Sequence, residues 1–414
     1  MNKRNKTVLG NIDWWIVLIY LTLVCFGWMN IYSVSPEKAE KQLIWIVLGG
    51  LLIFILFLGN PTDYKYLSFP FYLLTILSLI GVLIFGKTVN GAKAWYALGP
   101  MSFQPAELAK ITIALVISKV MNQPNISITE SKTLMTLIGL LALPIPLILL
   151  QPDPGSVLVF SAFILVFYRE GGPIRLIIIG FVLIGIFLLS LNLSPWMISG
   201  SMATIFLLYI FFLPKKRFKE WMSPVFIFLG LIVFVFSSPI LFDKLLKPHH
   251  KNRISILFKN EFDKKYRDNV GYNLFSSKAA IASGEFLGKG FQKGTVTKGK
   301  FVPEQFTDYI FCTVGEEWGF RGSSLLVIIY LTFIGRIYFL AEKQKDSFSR
   351  VFGYSVGSLL LLHLLINLGM VMGILPTIGI PLPFFSYGGS SLWAFTVLVF
   401  LFIRLDASDR SNLI

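Results

Sequence analysis

The sequence predicts an all-α polytopic membrane protein of about twelve transmembrane helices. Three observations predict it. Of 414 residues, 55% are hydrophobic and only 14% charged, where a soluble domain carries about 25% charged residues. The apolar residues fall into runs near the length, about 20 residues, that a helix needs to cross a bilayer. When these runs alternate across a membrane, the strongly basic short segments between them all fall on one side, as the positive-inside bias requires.

In chain order the runs lie at about 14–34, 42–59, 68–86, 104–121, 134–150, 156–168, 174–193, 196–213, 222–241, 322–340, 351–372 and 390–404. The tail ahead of the first carries Lys3, Arg4 and Lys6, and the run behind it is long enough to stay in the membrane, so no cleavable signal peptide is expected. With this tail cytoplasmic, Arg169 and Arg175, the stretch Lys215-Lys216-Arg217-Phe218-Lys219 and the segment Lys343 to Arg350 are cytoplasmic as well, and so is the C-terminus. The external side then receives Gly86 to Phe103, the turn Gln151 to Gly155, a long segment from Phe242 to about Gly322, and Gly373 to Gly389. Residues 242–305 read as a large external loop with thirteen Lys/Arg against six Asp/Glu. The charge bias weakens in loops beyond about 60 residues. The excess is either solvated or attracts an anionic substrate or lipid headgroups.

The net charge of +15 follows largely from such loops, so no nucleic-acid partner is expected. Cys25 and Cys312 are too few and too distant to suggest a disulfide framework or a metal motif. No repeat is visible, and residues 1–414 read as a single integral-membrane domain that contains the 242–305 loop. No Gly-rich P-loop, His-Glu-x-x-His or nucleophile-elbow motif is present.

Candidate chemistry lies mainly in the external segments and at span ends. Phe301-Val-Pro-Glu304-Gln-Phe-Thr-Asp308 closes the long loop. Its carboxylates are four residues apart and share a face if the segment is helical. Asp308 suits a general base or an ordinary ion pair or cap. Glu316 and Glu317 at a helix start favour the macrodipole and can pair with Arg321. Glu107 and Lys110, behind Pro105, share one face of the fourth span, either as a buried structural pair or lining a wet cavity. Asp153, within Gln151-Pro-Asp-Pro-Gly155, caps the next helix or lines a cavity. Gly379 to Ser391, with Ser386 and Ser390, is a Gly- and Ser-rich segment able to cradle a phosphate or sugar, or simply a tight turn with caps. His363 and Asn367, at i and i+4, read as hydrogen-bonding links between helices.

Seven blocks in order give these residues a further meaning. They are Asn90-Gly-Ala-Lys-Ala-Trp95 with Gln104-Pro-Ala-Glu-Leu-Ala-Lys110; Gln151-Pro-Asp-Pro-Gly155; His249-His-Lys-Asn-Arg253-Ile; Gly271-Tyr-Asn with Ser277-Lys278-Ala-Ala-Ile-Ala-Ser-Gly284 and Gly288-Lys-Gly290; Pro303-Glu-Gln-Phe-Thr-Asp308; Gly315-Glu-Glu-Trp-Gly319; and Pro381-Leu-Pro-Phe-Phe-Ser-Tyr-Gly-Gly-Ser-Ser391. Over nearly its full length the chain resembles the SEDS family (shape, elongation, division and sporulation). The Pro381-Leu-Pro-Phe form and Asp13-Trp14-Trp15 resemble its RodA-like branch. Departures are Phe306 in place of the usual His, Pro154 in place of a Leu, and Asn273 and Ser276 where Gln is common. The family core has ten spans, so the chain is expected to carry an inserted pair between about 174 and 241.

The resemblance implies a peptidoglycan glycosyltransferase of the bacterial cytoplasmic membrane, acting in cell elongation and shape maintenance. It would polymerise lipid II, a disaccharide-pentapeptide on undecaprenyl pyrophosphate. An α-linked pyrophosphate becoming a β-glycosidic bond requires one inversion. A single displacement needs a base for the acceptor 4-hydroxyl and no covalent nucleophile. By family position Asp308 is that base. Glu107, Lys110, Asp153, Arg253, Lys278, Glu304, Ser386 and Ser390 are the candidate substrate-binding residues. Arg253, Lys278 and Lys110, or a divalent cation such as Mg or Mn, are candidates to stabilise the departing pyrophosphate. The implied partners are a class B penicillin-binding protein transpeptidase, other membrane proteins of the elongation machinery, and membrane lipids. Two alternatives share the same features: a lipid II flippase or other transporter, and a non-catalytic scaffold for the transpeptidase.

Overall fold

The structure, a computed structural model, describes residues 10–89, 91–99, 101–190, 193–212, 218–245 and 271–411. In chain order it begins with three long helices, α1 (Trp14–Val34), α2 (Pro36–Leu58) and α3 (Pro61–Phe85). Three short strands follow, β1 (Lys87–Val89), β2 (Ala92–Leu98) and β3 (Met101–Phe103). Next come α4 (Pro105–Met121), the pair α5 (Ser131–Ala142) and α6 (Pro144–Leu150), and the pair α7 (Pro154–Val159) and α8 (Ala162–Arg169). The middle of the chain forms α9 (Arg175–Ser190), α10 (Pro195–Phe212) and α11 (Phe218–Leu245). The remainder comprises α12 (Tyr272–Ser283), the single turn α13 (Thr295–Lys298), α14 (Ile310–Glu342), α15 (Ser347–Val371) and α16 (Gly389–Ser411).

Each of the twelve expected runs falls on one of these helices or helix pairs. Among the described residues, eight helical segments are long and apolar enough to cross a membrane, and Pro154–Arg169 and Pro224–Pro239 are shorter apolar helices. The local sequence explains the boundaries. Prolines occupy the first turn of α2, α3, α4 and α7, where the missing N–H costs nothing. Asp13, Asp153 and Asp346 accept hydrogen bonds from backbone N–H groups at the starts of α1, α7 and α15.

The all-α fold class holds, with two local features that the apolar runs do not foretell. Strands β1, β2 and β3 form a three-stranded antiparallel meander, with Lys87 opposite Trp95 and Tyr96 opposite Phe103. The Tyr96 hydroxyl donates to Ser78 O (2.9 Å), pinning this meander to α3. The second feature is in the expected 242–305 loop. Its described part, from Gly271, is a folded structure of α12, α13 and a strap over residues 284–302. Arg253 and Lys215 to Arg217 lie outside the described residues.

The chain separates into two compact units, residues 1–172 with 267–414, and residues 173–266. In the first, α15 is the centre, packed against α14, α4, α8 and α16. The apolar windows of α15 and α16 are 78% and 83% buried, whereas that of α2 is 11% buried. Inner helices therefore pack on protein, and outer ones offer their sides to lipid. Charged residues mark one end of this bundle. Arg336 pairs with Asp13 (2.5 Å) and Arg410 with Asp406 (2.9 Å). Lys65 pairs with Asp346 (2.7 Å), Arg350 with Glu170 (2.9 Å) and Arg169 with Glu342. The second unit contains α9, α10 and α11. In it, Met202, Phe206 and Tyr209 of α10 face Pro224, Phe228 and Leu231 of α11 across an apolar groove of about 400 Å³.

Candidate active site

The opposite end of the first unit gathers most of the candidate residues. Residues 301–309 descend as a series of turns into α14, not as a helix. Glu304 and Asp308 consequently do not share a helical face. The Glu304 carboxylate turns back to accept from the Thr307 hydroxyl (3.0 Å), and its carbonyl accepts from Tyr309 N (3.1 Å). Asp308 is half-buried at the foot of these turns.

The backbone around Asp308 is held from the opposite side by α15 and the segment after it. Tyr387 N donates to Phe306 O (2.8 Å), Ser386 Oγ to Thr307 O (2.7 Å), and Asn367 Nδ2 to Asp308 O (2.8 Å). The same Asn367 amide group donates to Ile380 O (2.7 Å). Gly379 faces the carboxylate itself: a Cβ there would stand 3.1 Å from Asp308 Oδ2, and its φ of 86° is one that side chains rarely adopt. Phe384, buried between Tyr20, Phe333 and Phe395, has a φ of 65°. A bulky residue in that region costs about 1–3 kcal/mol and persists only where its surroundings over-determine it. Here the buried aromatic ring fixes the turn that presents Ser386 and Tyr387.

The other candidates are arranged around this segment. Asp153 accepts from Gln104 Nε2 (2.8 Å), Ser156 Oγ (2.7 Å) and Ser156 N (3.1 Å). The start of α7 packs on the 376–379 segment, since a Cβ at Gly155 would lie 3.0 Å from Ile378. Gly155, two residues after Asp153, and Asp308 thus stand against neighbouring residues of one loop. The Lys278 side chain runs past Gly373, at the start of the same loop. Glu107 and Lys110 form a buried pair (2.7 Å), with side chains only 6% and 1% exposed. Lys110 also contacts His363 Nε2 (3.1 Å), and His363 Nδ1 contacts Pro381 O (3.1 Å). The pair therefore supports the loop from beneath and does not line an open cavity. Ser390 donates to Ser102 O (2.8 Å), tying α16 to β3.

Glu316 and Glu317 have a different setting from the one expected. Glu316 is fully buried and takes Lys289 (2.7 Å), Val296 N (2.9 Å) and Thr297 N (2.8 Å), not Arg321. Glu317 accepts from Ser33. The Glu316 carboxylate fastens the 284–302 strap to the start of α14, and Glu317 ties that start to α1. Backbone bonds from Lys289 N to Glu316 O and from Phe320 N to Glu285 O complete the attachment. Gly319, at φ 65° and ψ −162°, kinks α14 where the strap presses on it.

Asn367 was legible only as a helix-to-helix link, and Gly379 and Phe384 had no assigned role. An i, i+4 polar pair in an apolar span was the available signal. Among the described residues, no three His, Cys, Asp or Glu side chains come together as a metal site. The arrangement provides a fixed carboxylate, set against a polar loop, at one end of an apolar bundle.

Together, the fold and the site define a polytopic helical membrane protein with a terminal acidic site. Sequence comparison places it more narrowly: the chain belongs to the FtsW/RodA/SpoVE family of cell cycle proteins, which it matches over residues 12–225 and 174–411. The two stretches overlap at the helices where an inserted pair was expected. The chain is 28% identical to the peptidoglycan glycosyltransferase RodA of Treponema pallidum, covering 96% of this chain and 98% of that protein. It is 29% identical to the peptidoglycan glycosyltransferase MrdB of Escherichia coli K12, with 94% and 92% covered. Among solved structures it resembles a chain of a peptidoglycan synthase complex studied for its coordination of polymerization and crosslinking. That similarity has a TM-score of 0.71 at 28% identity, with 95% and 97% of the chains covered. This likeness and the apolar helices make the protein a multi-pass bacterial membrane protein.

Proposed function

We propose that the chain is a peptidoglycan glycosyltransferase that polymerises lipid II into glycan strands during elongation, with Asp308 as general base. The observation that carries this reading is the fixation of Asp308. Three successive carbonyls, from Phe306 to Asp308, are each held by a donor from α15 or the 386–387 turn. A base must stand within hydrogen-bond reach of the proton it removes, and a fixed backbone holds its carboxylate there. In the reaction the acceptor 4-oxygen bonds to the donor C1 while the bond from C1 to the pyrophosphate oxygen breaks. The hydroxyl proton passes to Asp308, and the lipid pyrophosphate departs as an anion. C1 is inverted once. Lys278, whose side chain runs past Gly373, is the proposed stabiliser of that anion, and Arg253 is its companion by family position. Lys110 is enclosed and acts by supporting the loop.

The protein sits in the cytoplasmic membrane with both termini inside. The end bearing Arg169, Arg336, Arg350 and Arg410 is the cytoplasmic one by the positive-inside bias, and the site is external. The named relatives and the likeness to a synthase complex support pairing with a class B penicillin-binding protein, which crosslinks the new strand. Affinity purification from native membranes should recover such a partner; full activity of the chain purified alone in mild detergent would argue against an obligate complex.

The deciding experiment is polymerisation of lipid II by purified protein, with Asp308→Asn beside it. That variant keeps shape and removes the proton-accepting charge, so the rate should fall at least the roughly 10²–10⁴-fold typical of general-base catalysis. Lipid II binding should be nearly unchanged, and Glu304→Gln should cost much less. A near-wild-type rate for Asp308→Asn would overturn Asp308 as the base, whereas no polymer from the purified wild-type protein would favour the flippase or scaffold reading.

A further inference from the structure

We propose that Asn367 and Ser386 are positioning residues for this reaction: acting through the backbone of Thr307 and Asp308, they aim the Asp308 carboxylate. The proposal rests on the reading of Asp308 as the base. It also reassigns Ser386, whose place in a Gly- and Ser-rich segment suggested direct contact with substrate.

The geometry points away from substrate for both side chains. Ser386 is only 6% exposed, and its hydroxyl is used twice: it accepts from Leu382 N (2.8 Å) and donates to Thr307 O (2.7 Å). Asn367 is fully buried and spends both amide protons on carbonyls, Asp308 O and Ile380 O. Both neighbours are pure acceptors, so the amide orientation is fixed by chemistry, and no flipped arrangement satisfies them. An Asp at 367 would set a carboxylate against two carbonyl oxygens, and an apolar residue would leave both without a donor. Asn meets the requirement with two parallel donors on a short side chain.

These bonds join two parts of the site that are distant in sequence. Ile380 is next to Gly379, the residue that leaves room for the carboxylate. By holding Asp308 O and Ile380 O with one amide, Asn367 fixes the distance between the base and the wall it stands against. Ser386 does the same one residue earlier, between Thr307 and the 382–386 turn. Asn367 is mounted on α15, whose apolar window is 78% buried, so the reference point is held by packing on most sides. Below it, His363 on the same helix reaches Pro381 O, so one helix sets two neighbouring carbonyls of the loop.

The test compares catalysis with binding. Asn367→Ala and Ser386→Ala are made singly, and again beside Asp308→Glu, which keeps a carboxylate but moves it by one methylene. Loss of aim without loss of the base should lower kcat of each single variant about 10–100-fold. KM for lipid II, and its binding affinity, should stay within about twofold, because the interaction lost matters only in the transition state. Beside Asp308→Glu the same changes should add less than about threefold, since residues acting through one group are non-additive. A folded Asn367→Ala or Ser386→Ala with wild-type kcat overturns the proposal. So does a full multiplicative loss beside Asp308→Glu, or a loss of binding in step with rate. Should Asn367→Ala fail to fold, Ser386→Ala decides alone, since it removes one hydroxyl outside the helix. Asp308→Asn is assayed in parallel. If it is inactive while both single variants are fully active, positioning fails and the base stands. If it is fully active, the base reading itself fails.

Discussion

Glu107 and Lys110 show what a charged pair does inside this bundle. Their side chains are almost fully enclosed, 2.7 Å apart, with His363 and the Phe395 ring against the ammonium. Removing one member leaves the other charge buried and unpaired, which costs about 3–5 kcal/mol, whereas removing both together costs much less. Glu107→Gln and Lys110→Met should therefore each lower the thermal unfolding midpoint of the detergent-solubilised protein by more than the double variant does. A double variant with the summed loss would show that the two do not act as a pair. Gly379 makes a second prediction at this scale. Gly379→Ala places a methyl 3.1 Å from Asp308 Oδ2 on a backbone with φ of 86°. A displacement of the carboxylate by about 1 Å can cost 10²-fold in rate, and polymerisation by purified Gly379→Ala protein should show a loss of that order. Asp308 as a candidate base was legible from the order of motifs along the chain. The donors that hold it were not, because Asn367 lies 59 residues away and nothing local in an apolar helix reports which carbonyl a buried amide will reach.

The strap over 284–302 is stabilised chiefly by polar contacts. It has few buried apolar residues, Val302 being one, and it is held by the Glu316 carboxylate and by backbone bonds to α14. Glu316→Ala would leave Lys289, Val296 N and Thr297 N without their acceptor. Amide exchange in 285–300 should then accelerate by tenfold or more, which corresponds to about 1.4 kcal/mol of local stability, while the core of α15 stays protected. Unchanged exchange in the strap would show that the backbone bonds suffice. The helices themselves were readable in order because bilayer thickness fixes both their length and their composition. The strap and the β meander were not. Their strands are three to seven residues long, and the strap's path depends on Glu316, which sequence alone assigned to the helix dipole.

At the scale of the molecule, sidedness is the exposed claim. A single cysteine introduced at Lys216 should resist a membrane-impermeant thiol reagent in intact cells, with the native cysteines replaced. One at Lys298, on an exposed turn of the strap, should react once the outer face is accessible. Labelling at position 216 would refute either the orientation or the inserted helix pair.

The bridge between the two ends of the chain also has a consequence in time. Asp13 is almost fully buried and depends on Arg336, 323 residues later, and on Arg410 near the C-terminus. At about 5–20 residues per second, synthesis takes roughly 15–65 s to supply the first of these partners. The first helix therefore enters the bilayer with an acidic residue at its edge before either arginine that pairs with it in the folded protein has been made. Until α14 emerges, Asp13 must remain in the wet headgroup layer, which keeps α1 from sinking or tilting. The final docking of the earliest helix belongs to the last stage of biogenesis, so a nascent chain truncated before residue 336 should have its first span inserted but unlatched.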